Sequence, residues 1–154
     1  MTIRIATTPS DYHSAATLFQ EYAAWLGINL CFQQFDEELN VLPVMYGNPE
    51  GALFLISANN VDVACVGVRK IGEQTAELKR MFVKDEFRGK GYGQLLLDAA
   101  IAFAREAGYQ KIQLDTLRTM TPAMNLYKKN KFVEIPAYYH NPIESAVYFE
   151  LKLD

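Results

Sequence analysis

Hydrophobic residues recur at helical spacing in some parts of the chain and at strand spacing in others, and these changes predict the order of elements. A first strand is expected at residues 3–6 and a helix from Thr8-Pro9 onward, where N-cap residue types accompany a proline suited to a first helical turn. The apolar face of this helix repeats at spacings of three and four, stops at Gly27, and comprises Ala15, Leu18, Phe19, Tyr22 and Leu26. Residues 35–42 predict a short second helix before Pro43.

The spacing changes to that of strands between residues 52 and 83. Residues 52–57 and 61–71 are rich in β-branched and aliphatic side chains, and Asn59-Asn60 between them tolerates positive φ, so this stretch predicts a hairpin. A second turn at residues 72–74 leads into a third strand at 77–83. Three consecutive antiparallel strands, a meander, are therefore expected.

The rest of the chain predicts helices and strands in alternation. A helix at residues 93–107 should stop at Gly108 and lead into a buried strand at 111–116. Its expected inner face comprises Leu96, Ala99, Ala100, Phe103 and Ala107. A helix at 122–129, a strand at 132–135, a proline-containing loop at 136–142 and a strand at 146–153 complete the pattern. We expect one domain over residues 1–154 of the α+β (mixed α/β) class, with a mostly antiparallel sheet of six or seven strands and helices on its faces.

Composition narrows the function classes. Half of the 154 residues are hydrophobic and 21% are charged, which excludes a disordered chain, and the net charge of −3 gives no broad attraction to nucleic acid or an anionic membrane. Cys31 and Cys65, with two histidines, supply too few ligands in too loose a spacing for a metal site, so we expect no metal and two buried, reduced thiols. No apolar run reaches a membrane span and the first residues lack a signal peptide's apolar stretch, which predicts a cytoplasmic protein; a homodimer is left open.

The segment Arg88-Gly89-Lys90-Gly91-Tyr92-Gly93 carries the strongest chemical signal. Its glycines allow close approach of the backbone to a ligand, and the helix that follows turns unpaired amides toward it, so the segment predicts a phosphate cradle. A Walker loop is excluded because no Gly-Lys precedes Ser or Thr. A dinucleotide fingerprint, with Asp115 closing the next strand, fails on the spacing of its third glycine.

This segment matches R-x-x-G-x-G and resembles the acyl-CoA pyrophosphate motif of the GCN5-related N-acetyltransferases, the GNAT superfamily. Residues 77–83 resemble the fourth strand of that family, residues 84–87 its short connector, and Ala123-x-x-Leu126-Tyr127 with Phe132 its later helix and strand. The chain departs from the family at Lys131, where a glycine is common, and at Met120, where many members have an asparagine.

The resemblance implies direct transfer of an acetyl group from acetyl-CoA to an amine. An alkylammonium is only about 0.1% free base at pH 7, so a proton acceptor is needed, and Glu77 is the candidate base, acting directly or through water. Backbone amides near Met81, Phe82 and Val83 would stabilise the thioester oxygen as it gains charge, and Tyr127 would assist the departing thiolate. The expected cofactor-binding residues are Met81, Phe82, Val83, Arg88, Gly89, Lys90, Gly91, Tyr92 and Gly93. The expected acceptor wall, for which core packing is the alternative, comprises Tyr22, Trp25, Phe32, Tyr138 and Tyr139.

The leading hypothesis is acetylation of a small amine with an apolar or aromatic body. The alternatives are a protein or peptide N-acetyltransferase and a non-catalytic acyl-CoA-binding module. A hydrolase triad has little support, because His13 and His140 lack a serine or cysteine nucleophile motif. Cys65 is expected in the core, and Glu37-Glu38 on a solvated helix face.

Overall fold

The computed structural model describes residues 1–30 and 33–154 of the chain. Their strands are β1 (Thr2–Ile5), β2 (Ala52–Ala58), β3 (Val61–Gly72), β4 (Thr75–Val83), β5 (Lys111–Leu117), β6 (Val133–Ile135) and β7 (Ala146–Lys152). Their α-helices are α1 (Pro9–Leu26), α2 (Phe35–Asn40), α3 (Leu42–Met45), α4 (Tyr92–Glu106) and α5 (Thr121–Lys129). A 3₁₀ turn at Asp85–Phe87 joins β4 to α4.

The seven strands form one sheet in the order β1-β2-β3-β4-β5-β7-β6. Every neighbouring pair is antiparallel except β4 and β5, which are parallel and pair only from Thr75–Lys111 to Glu77–Gln113. This confirms the mixed α/β class and the mostly antiparallel sheet. Beyond Glu77 and Gln113 the two central strands separate, and this split is the main feature that positions the site.

The turns and helix caps predicted from short stretches of sequence are present in the structure. Thr8 caps α1 by accepting a hydrogen bond from the Asp11 amide, Asp11 returns the capping box, and Gly27 ends the helix with a φ of 67°. Asn59 and Asn60 have φ values of 55° and 64° in the turn between β2 and β3. The predicted hairpin is therefore confirmed.

Two helical predictions need correction. The helix expected at residues 35–42 is divided, because α2 ends at Asn40 and Pro43 lies in the first turn of α3, where its missing N–H is tolerated. The inner face predicted for α4 is confirmed at Leu96 and Ala100, which are buried, and at Ala99 and Phe103, which are half-buried. Ala107 is exposed and does not belong to this face. The buried face is also wider than predicted, because it includes Leu97, Ile101 and Ala104.

Helices cover both faces of the sheet. One hydrophobic cluster lies between the sheet and α4 and α5, and a second lies between the opposite face and α1, α2 and α3. The prediction that residues 111–116 form a buried strand holds for one face of β5 only. Ile112, Leu114 and Thr116 are buried, while Lys111, Gln113 and Asp115 are half-buried on the other face.

Candidate active site

The glycine segment forms one wall of a groove at the end of β4. Gly89 and Gly91 have φ values of 77° and 83°, and Gly91 precedes the first turn of α4. A Cβ at either glycine would meet no atom of the described residues within 4 Å, so the backbone faces open space. First-turn amides of the 15-residue helix α4 and the positive end of its dipole lie beside this space, which fits a phosphate group.

Arg88 is held at the rim of the groove by three contacts. Its Nε donates to the Val83 carbonyl at 2.9 Å, Nη1 pairs with Asp85 Oδ1 at 2.7 Å, and the guanidinium lies 4.3 Å from the Trp25 ring centroid. Lys90 is exposed, with its ammonium 5.6 Å from the Phe87 ring. The groove has a volume of about 350 Å³ and extends from Trp25 and residues 81–83 across the glycines to Met120, Ala123 and Leu126 on the α5 side.

A second, enclosed cavity of about 60 Å³ lies where β4 and β5 separate. We call this the central cavity and the groove beside the glycine segment the glycine groove. Both are lined by Met81, Met120 and Ala123. Gln33 and Lys79 line both the central cavity and a third, open pocket of about 490 Å³. The central cavity therefore lies between the groove and the open pocket, and Tyr127 is part of its wall.

A β-bulge in β4 borders the central cavity. Arg80 and Met81 together lie opposite the single residue Val66 of β3, and Arg80 has a φ of 59°. The family resemblance implies stabilising amides near residues 81–83, and the structure has its bulge next to them, at residues 80–81. Because Met81 lines both the groove and the central cavity, the backbone here can approach a group that extends from one to the other.

Tyr127 is 5% exposed, and its ring packs against Phe132 and Phe149 with centroid separations of 5.7 and 6.1 Å. Burial raises the pKa of its phenol well above the usual range. The phenol is therefore protonated at neutral pH and can donate to a developing anion. In this position, packing in the core is compatible with the predicted role of Tyr127 in catalysis.

Glu77 lies on the polar face of β4 and is 2% exposed. Its Oε1 accepts from Arg69 Nε at 2.8 Å, and its Oε2 accepts from the Tyr138 hydroxyl at 2.6 Å. It lines the open pocket and not the central cavity. A proton leaving a bound amine could reach Glu77 through the Tyr138 hydroxyl or through water.

Asp115 is a second carboxylate of this site, and it lines the central cavity together with Tyr127. Its Oδ2 accepts from the Tyr139 hydroxyl at 2.7 Å and from Asn141 Nδ2 at 3.4 Å. Burial raises the pKa of this carboxyl, although the bond from Tyr139 and the charge of Lys79 oppose the shift. The sequence analysis considered Asp115 only as part of a dinucleotide motif and missed this position.

A buried ion pair supports the bulge from the side of α2. Arg80 Nη2 lies 2.9 Å from Glu38 Oε1, and Glu38 Oε2 also accepts from the Tyr46 hydroxyl at 2.9 Å. Arg80 Nη1 donates to Gln33 Oε1 at 2.7 Å. Glu38 is 2% exposed, so the prediction of a solvated Glu37-Glu38 face is wrong for Glu38, whereas Glu37 is exposed.

The five aromatic residues expected at the acceptor wall have different positions. Tyr138 and Tyr139 line the open pocket, and Tyr22 lines the central cavity, where burial raises the pKa of its phenol to about 12. Trp25 lines the glycine groove. Phe32 and Cys31 lie outside the described residues. Cys65 is a buried free thiol that donates to the Arg80 carbonyl at 3.4 Å.

The sequence contained one signal for the residues that were missed. Polar residues alternate with apolar ones along both central strands, at Glu77 and Lys79 in β4 and at Gln113 and Asp115 in β5. Central strands in a sheet covered on both faces usually lack such a polar stripe. The alternation indicates a polar cavity above these strands. Among residues 1–30 and 33–154, no helix is long and apolar enough to cross a membrane, and no group of three or more His, Cys, Asp or Glu is placed to hold a metal.

Comparison with known proteins gives evidence on the family and the fold of this chain. The sequence profile of the acetyltransferase (GNAT) family matches residues 15–132. An uncharacterised N-acetyltransferase of Schizosaccharomyces pombe is 36% identical over 99% of this chain and 95% of its own length. The fold is similar to that of an acetyltransferase from Streptococcus agalactiae, with a TM-score of 0.79, 22% identity, and coverage of 99% of this chain and 98% of that one. It is also similar to the PaiA N-acetyltransferase of Thermoplasma acidophilum, solved in complex with coenzyme A, with a TM-score of 0.74, 20% identity, and coverage of 99% and 100%.

Proposed function

This chain belongs to the GNAT family of acetyltransferases, and we propose that it moves the acetyl group of acetyl-CoA to a primary amine of a small molecule by direct attack. The observation that carries the proposal is the central cavity at Tyr127, which shares lining residues with the glycine groove on one side and with the open pocket on the other. A donor bound in the groove and an amine bound in the pocket would meet there.

The glycine groove fits coenzyme A. The open backbone at Gly89 and Gly91, together with the first turn of α4, suits the pyrophosphate, and Arg88 at the rim adds positive charge. Apolar groups at Met81, Met120 and Ala123 line the route from the groove into the central cavity. Acetyl-CoA, when bound, supplies an acetyl group already activated as a thioester.

The bulge at Arg80 and Met81 is placed to stabilise the thioester oxygen. Backbone amides near Met81 border the cavity, and an amide held by the sheet needs no reorganisation when charge develops beside it. The buried Arg80–Glu38 pair keeps this backbone in its unusual conformation. We assign the oxyanion role to the amides at residues 81–83.

Each proton and bond in the reaction has an assigned place. The amine nitrogen forms a bond to the acetyl carbon while the carbon–sulfur bond breaks. Of the two protons that the ammonium loses, one goes to a carboxylate or to solvent, and the other restores the phenol of Tyr127 after it has given its proton to the sulfur, so CoA leaves as the thiol. Tyr127, a protonated phenol in the cavity, donates to the sulfur as it gains negative charge.

Glu77 is the predicted proton acceptor, and Asp115 is the alternative that the structure adds. Asp115 lines the cavity of Tyr127, whereas Glu77 is reached through Tyr138. A base role predicts that the loss in kcat/KM, about 100-fold, decreases as pH rises toward the pKa of the amine. Comparing the pH profiles of Glu77→Gln and Asp115→Asn identifies which carboxylate accepts the proton. Acetyl-CoA affinity should remain unchanged in both.

The direct test is a thiol-release assay with acetyl-CoA and a panel of amino acids, polyamines, aminoglycosides, aryl amines and peptides. We expect turnover of a small amine, with the acetylated product confirmed by mass spectrometry. Turnover of basic peptides alone would identify a protein N-acetyltransferase instead. Binding of acetyl-CoA without turnover of any acceptor would identify a non-catalytic module. The cytoplasmic location and the open question of a homodimer remain predictions from the sequence.

A further inference from the structure

Lys79 is a buried cation without a hydrogen-bonded partner. Its side chain is 7% exposed, and within the described part of the chain no hydrogen bond reaches its Nζ. The carboxylate oxygen paired with it, Glu77 Oε1, lies 3.9 Å away and already accepts from Arg69 Nε at 2.8 Å. Burying an ammonium costs several kcal/mol unless a partner offsets the loss of water. Lys79 lines both the central cavity and the open pocket, so a ligand in either can reach it.

Asp115 is the opposite charge on the wall of the same cavity. Its Oδ2 accepts hydrogen bonds from the neutral groups of Tyr139 and Asn141, and no described cation lies within ion-pair distance of it. Two charges of opposite sign thus line a cavity of about 60 Å³ without forming a salt bridge to each other.

The third charged residue on the wall of this cavity, Arg80, already forms a close ion pair with Glu38. The carboxylate oxygen paired with Lys79 is 3.9 Å away, and Asp115 accepts only from neutral groups. Lys79 and Asp115 are therefore the two charged groups on this wall that a ligand could pair with at hydrogen-bond distance. A simple amine would leave Lys79 facing another cation.

We propose that the acceptor is an α-amino acid with a free carboxylate, whose ammonium lies at Asp115 and whose carboxylate lies at Lys79. This inference rests on the proposed function and specifies its substrate class. Lys79 and Asp115 lie on neighbouring strands and line the same cavity, which suits a ligand whose two charged groups are close together, as they are when both are bonded to one carbon. The side chain would extend into the open pocket of about 490 Å³, beside Tyr138 and Tyr139.

The open pocket agrees with this orientation. Arg69 lines it, and only Nε of its guanidinium is engaged with Glu77, so a second cation faces the region next to the carboxylate. The tyrosine rings of Tyr138 and Tyr139 offer apolar faces to a hydrophobic side chain while their hydroxyls are bound to Glu77 and Asp115. The pocket thus favours an α-amino acid with an apolar or aromatic side chain.

The test compares matched acceptors that differ only at the carboxylate. Phenylalanine, phenylalanine amide and phenethylamine form one set, and leucine, leucine amide and isopentylamine form another. For the wild-type enzyme with acetyl-CoA, we expect kcat/KM for the amino acid to exceed that for the matched amines without a carboxylate at least tenfold. The Lys79→Gln variant should reduce this ratio at least tenfold, while Lys152→Gln, at an exposed position of the same sheet, should leave the ratio unchanged.

Equal or faster turnover of the amines that lack a carboxylate would overturn the inference and leave the proposed function intact. An unchanged ratio in Lys79→Gln would also overturn it. Calorimetry of the wild-type enzyme–CoA complex with the same compounds separates the two proposals. Amino acid binding without turnover would support the inference and refute the proposed function, and absence of both binding and turnover would refute both. Because the wild-type ratio decides on its own, a folding defect in the variant does not prevent the test.

Discussion

Tyr127 is a buried side chain to which we assign both a packing role and a catalytic role. Its ring contacts Phe132 and Phe149, and the residue lines the central cavity. Tyr127→Phe keeps the ring and removes only the proton that the thiolate would receive. We expect kcat to fall 10- to 100-fold with little change in acetyl-CoA binding, because the interaction strengthens only as the sulfur gains charge. Steady-state kinetics and a melting curve check this. Full turnover by Tyr127→Phe would leave Tyr127 a packing residue only.

Glu38 and Glu37 are neighbours in sequence with opposite environments. Burial opposes ionisation of Glu38, but its bonds with Arg80 outweigh that effect and hold the pKa of the carboxyl below its usual value. Glu38→Gln leaves Arg80 buried with its charge uncompensated, so the free energy of unfolding should fall by about 3–5 kcal/mol at pH 7. Glu37→Gln, at an exposed position, should change it by less than about 0.5 kcal/mol.

The pH dependence of this pair has a definite sign. A carboxylate with a lowered pKa in the folded state contributes its stability above the ordinary glutamate pKa and loses it as pH falls through the lowered value. The difference between wild type and Glu38→Gln in urea unfolding should therefore shrink in acid. A difference that stays constant down to strongly acidic pH would show that Glu38 acts through packing and not through its charge.

At single positions, the sequence predicted what a motif marks and missed what only the fold brings together. The motifs R-x-x-G-x-G and A-x-x-L-Y single out Gly91 and Tyr127, and the structure places Gly91 on the groove and Tyr127 on the central cavity, two spaces that share lining residues. Their roles in binding and catalysis stay predictions. Lys79 was not singled out from the sequence, Asp115 was considered only in a dinucleotide motif that the chain does not match, and the two are 36 positions apart in the chain. Only the divergence of two parallel strands places them on one cavity, which spacing along the chain does not reveal.

Among the elements, strands and helix ends were predicted where local chemistry dominates. The caps of α1 and the Asn59-Asn60 turn depend on side chains within a few residues. The width of the buried face of α4 and the break between α2 and α3 depend on tertiary packing, because the apolar stripe and Pro43 each permit more than one arrangement. Those were the places where the prediction needed correction.

The end of α5 provides a test at this scale. Lys131 has a φ of 72° just after the helix, the left-handed conformation that glycine adopts without strain. We expect Lys131→Gly to raise the free energy of unfolding by about 0.5 kcal/mol, since relief of the strain exceeds the entropy that glycine adds to the unfolded chain. Lys128→Gly, in the last turn of α5 itself, should lower it by about 1 kcal/mol. Chemical denaturation of both variants checks the pair. Destabilisation by Lys131→Gly would show that the lysine side chain contributes more than the backbone strain removes.

The glycine groove and the open pocket lie on either side of one split in the sheet. The groove lies past the end of β4, the open pocket lies on the polar face of β4 and β5, and the central cavity lies between them. Parallel pairing of β4 and β5 over three residues holds the split closed at one end. The other strand pairs are antiparallel, and hydrophobic clusters on both faces of the sheet pack it against the helices around this opening.

Binding of acetyl-CoA should therefore stabilise the entire fold. At a concentration 100 times its Kd, a ligand that binds only the folded state adds about 2.7 kcal/mol to the free energy of unfolding, which corresponds to a rise in Tm of about 5–11 °C for a chain of this size.

Gly91→Val places a branched side chain where the phosphate must approach the backbone. The affinity for acetyl-CoA should therefore fall at least tenfold, and the rise in Tm at the same concentration should drop to about 3–6 °C or less. Gly108→Val is the matched control, because Gly108 has a φ of 88° and equally open surroundings at the far end of α4. Without ligand, both variants should have a lower Tm than the wild type, since valine is strained at positive φ. Only Gly91→Val should show the smaller rise in Tm with acetyl-CoA. An equal ligand-induced rise in the two variants would refute the assignment of the glycine groove as the phosphate site.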